Sequence, residues 1–256
     1  MSHSIAPDAT IMGNVSLGSN VTIGKGALIY PNVILGDHVF IGAYCIIGEP
    51  KMDYYKDPGN YQFETTKIGA ESIIRSHTVI YEEVMIGELF QTGHHVTIRE
   101  QTRIGDNCSI GTLSDIQSEV EIGNHVRLHS NVFVCSFTRI DDYAWIFPSV
   151  TMTNDPYPPR GIWVGSHIKE YAVVATGTII LPGKSIGKNS LVGAGSVVTK
   201  DVPEEVLVTG VPAKARGSVR DIQDEEGNHV YPWQDHMKQH RGYPWQQEVH
   251  SKKMKP

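Results

Sequence analysis

The sequence predicts an all-β chain wound as a parallel β-helix, and three features of its spacing support this fold class. An aliphatic residue stands at every sixth position over long stretches, and a small or β-branched residue usually follows four positions later. Glycine often comes directly after the aliphatic residue, as in IGKG, IGAY, IGDN and IGNH. This period is neither that of a helix nor the alternation of an ordinary strand, and it matches the hexapeptide repeat of β-helices.

The length of the repeat predicts the size of the prism. Three hexads make one triangular coil of about 18 residues, so we expect about ten coils with rungs about 4.8 Å apart. Of the thirty repeat positions, only Thr92 is not aliphatic. The positions are Ile5, Ile11, Leu17, Ile23, Ile29, Leu35, Ile41, Ile47, Ile68, Ile74, Ile80, Ile86, Thr92, Ile98, Ile104, Ile110, Ile116, Ile122, Leu128, Val134, Ile140, Ile146, Met152, Ile162, Ile168, Val174, Ile180, Ile186, Val192 and Val198.

Two insertions interrupt the repeat, at residues 48–67 and 153–161. Counting the phase predicts that both leave the prism at the same corner, five rungs or about 24 Å apart. A solenoid tolerates inserted loops at little cost, and such loops tend to collect on a binding face. The first is rich in tyrosine and the second carries Asn-Asp-Pro, so we favour a functional interpretation over mere tolerance. We divide the chain into a β-helix domain, 1–202, and a C-terminal extension, 203–256.

Composition excludes several classes of function. The net charge is −6 with scattered basic residues, which argues against a nucleic-acid partner. No secretory signal and no apolar run of roughly 18 residues is present, so no membrane association is expected. Cys45, Cys108 and Cys135 lack metal-type spacing, and an odd, sparse set fits a reducing cytoplasm. Cys45 and Cys108 occupy the small inward position and Cys135 a turn, so no thiol nucleophile is indicated.

The segment ATGTIILPGKSIGKNSLVGAGSVVTKDVPEEVLVTGVPAK, residues 175–214, resembles the last coils of the CoA-dependent hexapeptide acyltransferases. That resemblance implies a left-handed β-helix and acetyl-CoA as co-substrate. It places the pantetheine arm along Ala175, Gly177, Gly193 and Gly195, where glycine lets a ligand approach the backbone. It also offers three cations for the phosphates. They are Lys200, Lys214 and Arg216. The alternative is that each glycine is only a turn residue.

Three further stretches, FQTGHHVTIREQTRIGDNCSIGTLSDIQ, VRLHSNV and WIFPSVTMTNDPYPP, are similar to a narrower bacterial group. These are the N-acetyltransferases of nucleotide-linked aminodeoxysugars, especially dTDP-3-amino-3,6-dideoxyhexoses, which serve cell-surface glycan synthesis such as that of lipopolysaccharide O-antigen. The tail DEEGNHVYPWQDHMKQHRGYPW also resembles theirs. The first insertion is similar to the loop of the more distant UDP-N-acetylglucosamine acyltransferases. The alternative function is therefore N- or O-acyl transfer to a UDP-linked amino sugar.

The narrower resemblance assigns the sugar contact to Asn154 and Asp155. A carboxylate and an amide can hold an amine and a neighbouring hydroxyl in a fixed pose. The group also has an acidic sugar contact one coil earlier, where phase places Ser136 in this chain. That departure leaves the identity of the sugar open.

Amide formation requires a neutral amine, a stabilised oxyanion and a leaving thiolate. His94 and His95 are the candidate general bases, although in this group the amine can arrive neutral and the thiolate can take the proton. Phase places His95 in one column with His77 and Asn131. His129 falls on the same face, and we count it with Asn131 among the substrate-binding residues.

Arg99 and Asp115 lie on adjacent hexads, where they are candidates to contact the nucleotide or its ribose. The alternative is an exposed charge pair.

The resemblance further implies a homotrimer with active sites between subunits, and cyclic symmetry is the common choice. The aromatic-rich tail is expected to be ordered, since disordered tails are poor in aromatic residues. One of its aromatics is a candidate to stack on the nucleotide base. These aromatics are Tyr231, Trp233, Tyr243 and Trp245.

Two other functions are alternatives for this fold. A γ-carbonic-anhydrase-like metalloenzyme would need three converging histidines, taken from His94 or His95, His125 and His129. Phase puts His125 and His129 on different faces, and the CoA-type coils would be unexplained, so no metal is expected. A scaffold without enzymatic activity would not need two insertions at one corner.

Overall fold

The computed structural model describes residues 3–236, and its strands form three flat faces of a prism. The first face contains Ser4–Ile5, Thr22–Ile23, Phe40–Ile41, Ile73–Ile74, Gln91–Thr92, Ser109–Ile110, Arg127–Leu128, Trp145–Ile146, Val173–Val174, Leu191–Val192, Val206–Thr209 and Lys214–Ser218. The second contains Thr10–Ile11, Leu28–Ile29, Ile46–Glu49, Val79–Tyr81, Thr97–Ile98, Asp115–Ile116, Phe133–Val134, Thr151–Met152, Ile179–Ile180 and Val197–Val198. The third contains Ser16–Leu17, Val33–Leu35, Thr66–Ile68, Met85–Ile86, Arg103–Ile104, Glu121–Ile122, Arg139–Ile140, His167–Ile168 and Ser185–Ile186.

Within each face, consecutive strands of the prism are parallel and one coil apart. Asp115 pairs with Thr97 on one side and with Phe133 on the other, a separation of 18 residues. The first face has 12 strands, of which all but the last are parallel, so the described chain makes about eleven turns against the ten expected. The predicted all-β parallel β-helix is confirmed; its left-handed sense stays a prediction from the resemblance.

The core consists of the inward aliphatic residues stacked along the axis. Ile29, Ile41, Ile80 and Ile98 are fully buried, as are the residues two positions before them, whose small size lets the coil turn inside the prism. We call the edge between the first and second faces the first corner, the edge between the second and third faces the second corner, and the remaining edge the third corner. Each corner turns through a residue with a left-handed backbone, such as His95 at φ +55°.

Thr92 fits the core because its hydroxyl has partners. Its Oγ1 accepts a hydrogen bond of 2.9 Å from the Arg75 backbone N–H and lies 3.4 Å from Oγ1 of Thr78. Two residues earlier, Phe90 fills an inward position that is normally small, and it is fully buried. The satisfied Thr92 hydroxyl removes the usual cost of burying a polar group.

Both insertions leave at the second corner, as the phase predicts. The first runs from Ile46–Glu49 to Thr66–Ile68 and contains the helix Met52–Lys56. Its anchor is Glu82, a fully buried carboxylate of the prism. This carboxylate accepts hydrogen bonds from the Tyr61 hydroxyl, from the Lys51 N–H at 3.2 Å and from the Glu64 N–H at 2.8 Å.

The second insertion is longer than predicted, and the phase beyond it was wrong. Ile162 is not a core residue: it is 47% exposed, and the chain rejoins the prism only at His167–Ile168, on the third face. Counting hexads from Ile162 would put Ile168 on the first face, but it lies on the third. Every later repeat position is shifted by one face in the same direction. The run Ile-Trp-Val at 162–164 imitates a strand in sequence, but it stays in the loop and is exposed.

The C-terminal extension begins by continuing the first face. Val206–Thr209 pairs in parallel with Leu191–Val192, and Lys214–Ser218 then returns as an antiparallel strand. Two single-turn 3₁₀ helices follow, Val219–Asp221 and Trp233–His236. The division at 202/203 stays a prediction.

Part of the predicted order in the tail is visible. The Trp233 ring lies 5.4 Å from the Trp145 ring on the first face of its own chain, and its Nε1 donates to the Tyr171 carbonyl at 2.8 Å. Tyr231 packs in the same cluster. Tyr243 and Trp245 lie outside the described residues.

All three cysteines are buried and unpaired with one another. Cys45 and Cys108 occupy the predicted core positions. Cys135, at the turn that follows Phe133–Val134, is also buried, and its Sγ lies 3.3 Å from Thr138 Oγ1. Burial raises the pKa of each thiol, that of Cys108 to about 12. Raised thiol pKa values keep the sulfurs protonated, which fits structural roles.

Candidate functional site

The structure separates the predicted site residues into two groups on one prism. The strand register places the first group along the first corner: His94, His95, His129, Asn131, Ala175, Gly177, Gly193 and Gly195. The second corner holds the other group: Ser136, Asn154, Asp155 and Lys200. The second face, which carries Arg99 and Asp115, lies between them. Within one chain the groups therefore do not form a single pocket.

The predicted histidine column at the first corner is confirmed. The His95 ring stacks on His77 at 4.6 Å with a 7° interplanar angle, and His77 stacks on Tyr44 at 5.3 Å. His94 is exposed beside this column, and its Nδ1 lies 2.8 Å from Ser76 Oγ. This contact occupies one ring nitrogen, so Nε2 is the nitrogen of His94 left for a ligand.

His129 is held in one protonation state by its neighbours. Its Nε2 accepts a hydrogen bond of 2.8 Å from the indole Nε1 of Trp145, and its ring stacks on Phe147 at 4.8 Å. Burial lowers the pKa of His129. Because an indole N–H can only donate, the neutral imidazole must carry its hydrogen on Nδ1. His129 is therefore a hydrogen-bond donor rather than a base.

Side chains shrink along the first corner towards the C-terminal coils. The corner position is occupied in turn by Tyr44, His77, His95, Leu113, Asn131, Ser149, Gly177 and Gly195. A Cβ added at Gly177 or Gly195 would meet nothing within 4 Å. We call this stretch of exposed backbone, from Ser149 to Gly195, the bare edge. It gives an extended ligand direct access to the main chain.

The amides that the sequence assigned to pantetheine are already used inside the prism. Ala175 N–H donates to Val192 and Gly193 N–H to Val208 along the sheet. Gly177 N–H donates to Pro148, and Gly195 N–H to Thr176, across the corner. A ligand on the bare edge must therefore bind through other groups, such as the outward carbonyls.

The three predicted cations do not lie together. Lys214 pairs with Thr209 in the last hairpin, and Arg216 Nε donates to Thr209 Oγ1 at 2.8 Å. Thr209 is one rung beyond Gly193, so Lys214 and Arg216 stand at the end of the bare edge. Lys200 lies instead at the second corner, two rungs beyond Asn154.

At the second corner, Ser136 lies one rung before Asn154, as predicted, and its hydroxyl is 3.2 Å from that of Ser118. The Asn154 carbonyl accepts from the Val164 N–H at 2.7 Å, which closes the second insertion. Asp155 has a local role as well. Its two carboxylate oxygens accept from the Tyr157 N–H at 2.9 Å and the Gly161 N–H at 3.3 Å, so it shapes the proline turn.

Arg99 and Asp115 do not form the charge pair that their spacing suggested. Arg99 makes a two-pronged ion pair with Glu100, at 2.8 and 3.1 Å, and lies over the Tyr81 ring. Asp115 accepts from Gln117 Nε2 at 3.0 Å. Burial raises the pKa of Asp115, against the opposing effects of Gln117 and Arg99. The half-buried Asp115 is a better candidate for a ligand contact than the neutralised Arg99.

Two grooves were not predicted. One, of about 550 Å³, lies between the insertions at the second corner. Its residue Glu83 is held by Lys51 of the first insertion at 2.9 Å, and Phe137, which also lines it, contacts Trp163 of the second insertion. The other, of about 360 Å³, lies on the first face beside the first corner, between Arg75 and His129. Polar outward residues carry no periodic signal, so no pattern in the sequence singles out Arg75 or Glu83.

The nominated metal-binding histidines do not share a corner. His125 lies at the third corner, stacked on Tyr143 at 4.5 Å, away from His95 and His129. Within residues 3–236, no three His, Cys, Asp or Glu side chains are arranged to hold a metal ion. None of the helices in that range has the length and apolarity that a bilayer crossing requires.

Comparison with known proteins supports the repeat. The family model "Bacterial transferase hexapeptide (six repeats)" matches residues 14–49 and 101–136, and "Hexapeptide repeat of succinyl-transferase" matches 176–200. In fold, the chain is similar to the UDP-N-acetylglucosamine acyltransferase from Campylobacter jejuni. The TM-score is 0.56 at 16% identity, over 87% of this chain and 79% of that one.

Two curated relatives are similar over parts of the chain. Galactoside O-acetyltransferase of Escherichia coli (strain K12) is 30% identical over 121 residues, which is 38% of this chain and 53% of that protein. The dTDP-3-amino-3,6-dideoxy-alpha-D-galactopyranose 3-N-acetyltransferase of Aneurinibacillus thermoaerophilus is 42% identical over 52 residues, 20% of this chain and 27% of that protein. The chain thus spans about half the length, or less, of these relatives.

Proposed function

Because the chain belongs to the hexapeptide-repeat acyltransferase superfamily, we propose that it transfers an acetyl group from acetyl-CoA to a nucleotide-linked amino sugar. The acceptor we propose is the amine of a dTDP-linked 3-amino-3,6-dideoxyhexose. The observation that carries the proposal is the bare edge, which ends in a cationic hairpin. An acyl-CoA arm is long, thin and anionic at one end, and this edge offers the matching shape and charge.

The donor would lie with its phosphates near Lys214 and Arg216 and its arm along Gly195 and Gly177. Guanidinium groups bind phosphate oxygens by paired, charge-assisted hydrogen bonds, which suits Arg216 at the phosphate end. The thioester would then arrive near Ser149 and Asn131, and Asn131 lies two rungs, or about 10 Å, from His95 of the histidine column. This order places the reactive carbon at the rungs where the side chains of the corner become polar.

The chemistry requires that the amine lose a proton as the C–N bond forms and the C–S bond breaks. His94 Nε2 and the edge of His95 are the candidate acceptors of that proton, and the departing thiolate is the alternative. His129, as a neutral donor, suits a carbonyl oxygen or a phosphate better than a proton-transfer role. These roles are part of the proposal.

The acceptor contacts proposed for Asn154 and Asp155 lie at the second corner, across a whole face from the donor edge. A complete site therefore requires the first corner of one chain to meet the second corner of another. A cyclic homotrimer provides such a cleft between each pair of neighbours. The separation of the two groups of residues thus supports the proposed homotrimer.

The direct test is a thiol-release assay. The protein is incubated with acetyl-CoA and a panel of dTDP- and UDP-linked 3- and 4-aminosugars, and free CoA thiol is followed. We expect release with a dTDP-linked 3-amino sugar and none with the matching sugar that has a hydroxyl in place of the amine. Release only with UDP-linked acceptors would replace the proposed nucleotide. No release with any amine, together with tightly bound zinc, would refute acetyl transfer.

A further inference from the structure

The groove on the first face, between Arg75 and His129, has a lining suited to anions. It is lined by Arg75, Gln91, Thr92, Gly93, Ser109, Ile110, Gly111, Thr112, Arg127, Leu128, His129 and Ser130. The chain carries 28 acidic residues against 22 basic ones, yet no carboxylate lines this groove within the described range. The groove is therefore a local positive region on an acidic protein. We call it the first-face groove.

Arg75 stands at one end of the groove. Its Nη1 donates to the Thr92 carbonyl at 3.0 Å, which holds the exposed side chain against the prism. No carboxylate of residues 3–236 lies within ion-pair distance of it. The rest of its guanidinium fork can bind a ligand, and that fork matches the oxygens of phosphate or carboxylate.

His129 stands at the other end as a donor. Trp145 occupies its Nε2, which leaves the Nδ1–H as the polar group that this ring offers. Arg127 lies on the same side of the groove and is itself buried, bonded to the Asn107 side-chain oxygen at 3.2 Å and to the Val126 carbonyl at 3.1 Å. Its positive charge is fixed in place beneath the groove, and the remaining polar lining consists of hydroxyl and amide groups.

Arg75 and His129 are three rungs apart along the prism, or about 14 Å. The bond from Arg75 Nη1 to the Thr92 carbonyl brings the guanidinium one rung towards His129 and leaves about two rungs, or about 10 Å, between them. That span suits a linked pair of phosphates or a phosphate with an attached sugar. On the same side of the prism, Arg216 lies about seven rungs, or about 34 Å, from Arg75. The chain therefore has two separate cationic points along one edge.

We infer that the first-face groove binds a diphosphate, with Arg75 and His129 as direct ligands. The inference rests on the proposed function for the identity of the molecule that carries the diphosphate, since both a nucleotide-linked sugar and coenzyme A contain one. It does not require the acetyl-transfer reaction itself, because the lining alone selects the anion. Trp145 acts as a positioning residue that keeps the His129 donor in its neutral form.

Calorimetry at constant ionic strength tests the groove with inorganic pyrophosphate as the probe. We expect Arg75→Gln to weaken pyrophosphate binding at least about tenfold, because a charged pair of hydrogen bonds is lost. His129→Phe keeps a planar ring but removes the donor, and it should weaken binding about two- to tenfold. Lys67→Gln, on the exposed third face, removes the same charge and should leave the Kd unchanged.

Two further titrations identify the source of the diphosphate. If it is the nucleotide, Arg75→Gln weakens dTDP but not CoA, and Arg216→Gln does the reverse. If it is coenzyme A, Arg75→Gln weakens CoA. Unchanged binding of pyrophosphate, dTDP and CoA in a folded Arg75→Gln protein would overturn the inference. Because the probe is not a substrate, that failure would leave the acetyl-transfer assay unaffected, and failed acetyl transfer would not change the pyrophosphate result.

Discussion

The indole Nε1 of Trp145 donates a 2.8 Å hydrogen bond to Nε2 of His129, and Trp233 of the C-terminal extension packs edge-on against the same indole. This chain of contacts connects the tail to the first-face groove. It also keeps the ring hydrogen of His129 on Nδ1, because Nε2 cannot become protonated while it accepts a hydrogen bond from an indole N–H, which can only donate. Through this packing, Trp233 supports the indole that holds His129 at the groove.

Trp145→Phe should raise the pKa of His129. The phenyl ring keeps most of the packing but removes the donor, so Nε2 becomes available for a proton. A net hydrogen bond contributes about 0.5–1.5 kcal/mol, which corresponds to a rise of up to about one pKa unit. NMR titration of the imidazole signals in the wild type and in Trp145→Phe measures this change in the pKa of His129. His125, whose pKa is also lowered by burial and by Arg127 and whose ring stacks on Tyr143, is the internal control. An unchanged His129 titration would contradict the interpretation.

The lowered pKa values of His125 and His129 also predict how stability depends on pH. Both rings bind a proton less readily in the folded state than in the unfolded state. Their contribution is fully present above the unfolded pKa of about 6.5 and is lost as the pH falls through the interval down to the folded values. Urea unfolding at fixed protein concentration should show lower stability at pH 5.5 than at pH 7.5. Trp145→Phe should reduce this difference, and an equal difference in both proteins would argue against His129 as its source.

Glu82→Gln should loosen the first insertion without unfolding the prism. The amide keeps one acceptor oxygen but sets an NH₂ group against N–H donors that the carboxylate now satisfies. Hydrogen bonds to a charged group contribute about 1.5–3 kcal/mol each, so proteolysis within 48–67 should accelerate more than about tenfold. The adjacent Glu83→Gln, which weakens a partly exposed pair with Lys51 and a hydrogen bond from Gln101, is the matched control. Equal cleavage rates in the two variants would show that Glu82 does not anchor the loop.

The sequence predicts the prism well because one inward residue per hexad is under strict steric control. From Ile5 to Met152 the counted faces agree with the observed strands. The count fails after the second insertion because Ile162 is aliphatic at a plausible step although its side chain is exposed. Glu82 and Trp145 were not found either. Outward and corner residues are chosen by contacts with distant segments, such as Tyr61 or Trp233, and a local period carries no information about those contacts.

The roles of Asn154 and Asp155 can be distinguished by mutation because their contacts in the loop differ. Asn154→Ala should raise the KM for the amino sugar at least about tenfold, with acetyl-CoA binding nearly unchanged, if its side chain holds the sugar. Asp155→Asn keeps an acceptor for the Tyr157 N–H, so it preserves much of the turn while removing the charge. A sugar contact by Asp155 predicts a loss in kcat/KM for this variant as well. Full activity of Asp155→Asn with loss in Asp155→Ala would restrict Asp155 to shaping the turn.

Mixed oligomers test whether the site is shared between chains. Gly195→Tyr blocks the bare edge, and the conformation permits it because Tyr44 occupies the same corner at φ +57° against +67° for Gly195. Asn154→Ala disables the other corner, and each variant alone should have at most about a tenth of the wild-type activity when the amino sugar is well below its KM. In a cyclic trimer assembled from equal amounts of the two, about a quarter of the clefts combine an intact first corner with an intact second corner. Mixed trimers isolated through two different tags each contain one such intact cleft out of three, so they should regain about a third of the wild-type thiol release. If they stay as inactive as the single variants, the two corners do not meet across a subunit boundary.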